Sequence, residues 1–150
     1  MREILFRGKS IHGEWVEGFY SCVLDTHYIM TGKFDSLTNG IINSEAYKVD
    51  PSTVGQFTGL EDKLGTKIFE GDVIDDLGVE YIVVFDSDYA QFRGKFDGWN
   101  AEISHIASRC EVIGNIYDNP ELLEFQSPRG EGVVQTANPR ACMVMLQTGI

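Results

Sequence analysis

Apolar and polar side chains alternate over short runs along most of this chain, and each run closes on glycine or on an acidic turn. Ile4 and Phe6 alternate with Glu3 and Arg7, which predicts a half-buried first strand. Glu14 to Tyr20 predicts a second strand, joined to the first through the polar turn Gly8 to Gly13. Thr26 to Met30, β-branched and aromatic, predicts a third. Lys33 to Gly40 reads as a loop closed by Asn39-Gly40, a strong turn pair. Ala46 to Val49 gives a short strand that stops at Asp50-Pro51. Proline cannot donate a ladder hydrogen bond, so a boundary between two halves is expected there.

The second half is organised around Gln56 to Ile74. Gly59, Gly65 and Gly71 punctuate this stretch, and Gly71-Asp72 forms a corner into the next strand. Such short strands and sharp corners have the grammar of a small barrel. Val79 to Phe85 is almost continuously apolar, so it is expected to be the central strand, buried on both faces. Tyr89 to Phe96 and Gly98 to Ile103 should pair around Asp97-Gly98, and Glu111 to Tyr117 should close the sheet. Asn119-Pro120 should cap and open one short helical turn, Glu121 to Phe125. From Gln126 no periodicity remains. The expected organisation is therefore a mainly β protein with an N-terminal β region over 1–52, a barrel over 53–125 and a disordered tail over 126–150.

Composition narrows the functional classes. The chain has 150 residues and a formal net charge of -11, from 12 basic and 23 acidic side chains. Phosphate binding needs clustered Lys and Arg, so general nucleic-acid binding is not expected. The acidic balance favours solubility and a basic protein partner. Cys22, Cys110 and Cys142 are odd in number and unpaired in spacing, which points to reduced thiols rather than a disulfide framework or a zinc site. No signal-peptide core and no membrane-length apolar run is present in the sequence, so a soluble, cytoplasmic protein without membrane contact is expected.

Five segments, taken together and in order, resemble the YopX family of phage and prophage proteins. They are Met1 to Gly8, Gly13 to Gly18, Val54 to Leu60, Ile68 to Val73 and Glu111 to Leu123. The resemblance implies a largely β protein whose C-terminal part is SH3-like, in a bacterial host cell, and it implies no particular activity, because the family has no established one. Family members usually finish near the Pro120-Glu121-Leu122-Leu123-Glu124 segment, so residues after Phe125 depart from the pattern.

Candidate chemistry is sparse. Gly8-Lys9-Ser10 imitates the end of a phosphate loop, but the glycine that motif needs is replaced by Glu3. Asp86 and Asp88 hint at a calcium loop that lacks its glycine at Gln91 and its glutamate at Asp97. His12, His27 and His105 are scattered. No catalytic residue, metal site or cofactor is expected. Asp72 reads as a turn carboxylate or as a partner contact. Phe92, Phe96 and Trp99 read as a core face or as a binding platform. The expected function is a non-enzymatic protein-interaction module for a host or phage protein. Its anchor candidates are Tyr89, Trp99, Trp15 and Asp72, and self-association is left open. Two alternatives compete with it. One is a small enzyme assembled from scattered Asp and His, and the other is an acidic mimic of DNA.

Overall fold

The computed structural model describes residues 1–35 and 37–126, in two compact units that divide between Gly59 and Leu60. The expected tail, Gln126 aside, lies outside the described residues. The strands are β1 (Phe6–Lys9), β2 (Trp15–Val23), β3 (Thr26–Asp35), β4 (Gly40–Lys48), β5 (Gly55–Glu61), β6 (Lys67–Phe69), β7 (Asp72–Asp76), β8 (Val79–Asp86), β9 (Gln91–Phe96), β10 (Trp99–Glu102) and β11 (Glu111–Asn115). One turn of helix, α1 (Ile103–Ile106), follows β10, and 3₁₀ turns occupy Pro51–Thr53 and Pro120–Gln126.

The first unit is an antiparallel sheet in the order β4-β3-β2-β1-β5. β2 serves two neighbours in succession. Its Trp15–Gly18 half pairs with β1 and its Phe19–Val23 half with β3. Phe6 faces Gln56 and Arg7 faces Gly55, which ties the start of β5 to β1. That pairing explains why the division falls after Gly59 rather than at the expected 52/53 boundary. A small core gathers on one face: Val16, Ile29 and Val49 are buried, with Phe6, Tyr20, Tyr47 and Val54 packed on them. The loop expected over Lys33 to Gly40 is shorter than the sequence suggested. β3 runs to Asp35 and β4 starts at Gly40, because cross-strand pairs such as Phe34 with Ile41 extend the ladder.

The second unit centres on a five-stranded antiparallel sheet, order β10-β9-β8-β7-β11. β10 and β11 are its two edges, so among the described residues the sheet is open. The small barrel expected from the corner-rich sequence is therefore not closed among these residues. The core lies on one face: Ile68, Ile74, Val83, Ile103, Ile106, Ala107 and Cys110 are buried together. β8 is central, as its apolar run suggested, but it is not buried throughout. Ile82 and Val83 are buried, Val84 is half-buried and Phe85 is 49% exposed at the strand end. The Asp97-Gly98 turn carries φ of +42° and +79°, the left-handed pair that a tight hairpin demands. A helical turn over Ile103–Ile106 stands where the sequence had ended a strand, and it drops Ile103 and Ile106 onto the core.

Candidate partner-binding surface

The four anchor candidates separate in the fold. Asp72 is 1% exposed, and its Oδ2 accepts a hydrogen bond from the Phe69 backbone N–H at 2.8 Å. It holds the Gly71 corner closed and cannot meet a partner, which removes it from the anchor set. Tyr89 lies in the turn before β9 and Trp99 follows the turn after it, so they stand at opposite ends of that strand. Tyr89 is 60% exposed, with the Arg93 guanidinium carbon 4.3 Å from its ring centre. Trp99 is 75% exposed and faces Phe96 across the ladder. The Phe92, Phe96 and Trp99 set divides: Phe92 packs on the core, and Phe96 meets Tyr81 edge-on at 6.1 Å. Trp15 belongs to the first unit.

Trp15 leads to a surface that the sequence reading missed. In β2 the even positions Val16, Gly18 and Tyr20 turn toward the core, so Trp15, Glu17, Phe19, Ser21 and Val23 lie on the other face. Register extends that face across the sheet. Lys9 pairs with Trp15, Arg7 with Glu17, Phe19 with Met30, Met30 with Ala46 and Tyr28 with Lys48. Phe19 is 55% exposed, Val23 56% and Met30 39%, so three large apolar side chains sit in water on adjacent strands. The Arg7 guanidinium carbon lies 4.7 Å from the Trp15 ring centre and Lys9 Nζ 5.9 Å from it. These are cation–π contacts that fix both cations over a half-buried ring. The signal for this face was present in β2, which carries apolar residues at both parities.

The remaining candidates are engaged in building turns. Ser10 Oγ accepts from the His12 and Glu14 backbone N–H groups at 3.2 and 3.3 Å, so Gly8-Lys9-Ser10 is a strand end and its turn. Asp86 Oδ1 accepts from Asp88 N at 3.1 Å and its Oδ2 lies 3.1 Å from Lys95 Nζ. His27 Nδ1 hydrogen-bonds Tyr20 Oη, while His105 Nε2 lies 3.4 Å from Glu102 in the other unit. Among the described residues no group of three or more His, Cys, Asp or Glu side chains is placed to hold a metal ion.

Three carboxyls of the second unit lie below the usual aspartate range. Asp76 is held down by its hydrogen bonds from Arg109, and Asp86 by its bond from Lys95. Burial works against ionisation at Asp62, but backbone N–H donors from Val112, Thr66 and Leu64 together outweigh it. Burial pushes the Cys110 thiol up to about 11, so it is a packed sulfur rather than a ready nucleophile.

The family model described as YopX protein matches residues 5–124 of this chain. Among solved structures, the chain is similar to protein EF1440 from Enterococcus faecalis, at 22% identity and a TM-score of 0.50. The alignment covers 81% of this chain and 99% of that one. At that identity the likeness concerns the fold alone. No curated protein matches.

Proposed function

The chain belongs to the YopX protein family, and we propose that it acts as a non-enzymatic protein-interaction module. The observation that carries this reading is the outer face of β1–β4. Phe19 and Met30 are exposed as a direct cross-strand pair, with Val23 further along the same face beyond Ser21 and Tyr28, and Trp15 with its two cations toward the other end beyond Glu17. Large apolar side chains gathered on one exposed sheet face of an otherwise charged chain suit a surface that another molecule covers. Aromatic and Met side chains suit such a patch, because each brings a large contact area to an interface core. A phage or prophage setting in the bacterial cytoplasm is part of the same proposal, supported by the five-segment resemblance.

Charge gives some support to DNA mimicry as a second reading. Residues 60–126 carry fifteen acidic and five basic side chains, against seven and five in 1–59. Mimicry would use the second unit and leave the apolar face of the first without a role.

The test is capture from a bacterial host lysate on immobilised full-length protein, beside a Phe19→Ser/Met30→Thr double variant shown by circular dichroism to be folded. A prey enriched by the parent and lost from the variant is expected. Identical captures from both proteins would overturn the assignment of this face. A prey set consisting of DNA-binding proteins, unaffected by the double variant, would favour mimicry.

A further inference from the structure

We propose that the outer face of β1–β4 receives an acidic, apolar protein segment, whose aliphatic or aromatic side chains cover Phe19, Val23 and Met30 while its carboxylates meet Arg7, Lys9 and Lys48. This rests on the reading of that face as a protein-binding surface and adds the chemistry of what binds there.

Charge on the face runs against the charge of the chain. On β1, on β2 and on the adjoining Thr26–Met30 and Ala46–Lys48 segments, the outward charged residues are Arg7, Lys9 and Lys48 against Glu17. The whole chain carries -11. A local positive rim around apolar side chains, in a molecule that is otherwise strongly acidic, selects for carboxylates presented next to apolar groups.

Geometry agrees with charge. Arg7 and Lys9 are already held over Trp15, so a carboxylate meeting them immobilises less side-chain freedom than it would on free lysines. Register also spaces the cations. Arg7 and Lys9 lie on β1, at one border of the apolar pairs, and Lys48 lies on β4, beyond Tyr28, at the other. A segment crossing β2 and β3 can therefore set apolar groups in the middle and carboxylates at both borders.

Charge disfavours the other occupants. A nucleic acid offers a dense row of phosphates, which the net charge of the chain repels, and in a duplex its bases are stacked away from Phe19 and Met30. A second copy docked face to face would set Arg7, Lys9 and Lys48 against their own kind, a like-charge contact that costs affinity. A basic segment would be drawn to the acidic second unit instead.

The test uses full-length protein with Trp99→Phe, which leaves Trp15 as the one tryptophan reporter. Capped peptides of about eight residues, enough to span a sheet of this width, are titrated in, each with four central residues between two charged residues at either end: Leu between Glu (Glu/Leu), Leu between Lys (Lys/Leu) and Ser between Glu (Glu/Ser). The Glu/Leu peptide is expected to shift Trp15 emission and to bind at least about tenfold more tightly than either of the others. Its affinity should fall as salt rises. Phe19→Ser/Met30→Thr should abolish binding, and Lys9→Glu/Lys48→Glu, which leaves the apolar side chains intact, should reverse the preference toward Lys/Leu. Equal binding of Glu/Leu and Lys/Leu would overturn the charge assignment. Sedimentation showing a dimer that Phe19→Ser/Met30→Thr dissociates would place a second copy on the face and overturn the proposal. If no peptide binds but the double variant still loses its lysate prey, the acidic-segment proposal fails and the interaction-module reading stands. If neither peptide nor prey depends on the face, both fail.

Discussion

Arg109 holds Asp76 in a two-point grip, Nε to Oδ1 at 2.6 Å and Nη2 to Oδ2 at 2.8 Å. The carboxylate is buried at the end of β7, while the guanidinium, after α1, is half in water. Removing the cation strands a buried charge, which is the expensive way to break such a pair. Arg109→Ala should lower the melting temperature by several degrees. Arg109→Lys should recover only part of the loss, since an ammonium cannot reproduce the fork. Scanning calorimetry of the three proteins checks this, and equal melting for Lys and Ala would show that the fork geometry matters more than the charge.

Acid should weaken the second unit. Asp62, Asp76 and Asp86 all titrate below the ordinary aspartate value of 3.8 in the folded protein. A depressed folded-state value means that the stabilisation is fully present above the unfolded value and is lost as pH falls through the folded one. Thermal melts should therefore be flat from neutrality to about pH 5 and fall below about pH 4. Asp62→Asn should melt lower at neutral pH and show a shallower acid fall. A steep loss near pH 6 would implicate histidine instead.

β8 offers a paired test of the core. Val83 is fully buried and Val84 half-buried on the opposite face. Val83→Asp places an unpaired carboxylate in the core, at a cost on the order of several kcal/mol, and should unfold the second unit. Val84→Asp should cost clearly less. Ile74→Ala, which leaves a cavity in the same core, should cost about 2–5 kcal/mol in denaturant titrations.

Two glycines at nearly the same φ separate strain from crowding. Gly13 stands at +88° with open space around a would-be Cβ, and Gly71 at +90° with Tyr117 Cε2 2.9 Å from that position. Gly13→Ala should cost about 1–2 kcal/mol, the left-handed penalty alone. Gly71→Ala should cost more, and Gly71→Ala with Tyr117→Ala should show the surplus as a coupling energy in a double-mutant cycle. Additive losses would mean that the ring simply swings aside.

The parts of this fold that could be read in advance are those whose cause is local. Asp97-Gly98 announces a tight turn because glycine and aspartate tolerate positive φ, and the hairpin of Phe96 and Trp99 follows from it. The apolar run of β8 announces a central strand. What escaped reading depends on distant residues. One turn of helix at Ile103–Ile106 is too short to show periodicity, and only the core beneath Ile103 and Ile106 explains it. Asp72 could be a turn acceptor or a surface acid until Phe69 N–H is found beside it. The outer face of the first unit needed register as well as parity. Phe19 and Met30 are eleven positions apart in the chain and become neighbours only because Leu24 and Asp25 adopt positive φ and fold β2 onto β3. Barrel closure was inferred from corner density, which specifies turns but not whether the two edge strands meet.

The two ladders close at very different moments of synthesis. The first unit has its last border strand once Gly55 and Gln56 have been made, because those residues complete the pairing with β1. The second unit cannot finish until Val112 exists, since the backbone N–H of that residue supplies Asp62 Oδ2 with a partner 50 positions downstream. At about 5–20 residues per second the interval is roughly 3–11 s. At its start the chain already contains every strand that carries Phe19, Val23 and Met30, while most of the acidic second half is still to be made. The proposed binding face is thus encoded in full before the residues that complete the second unit.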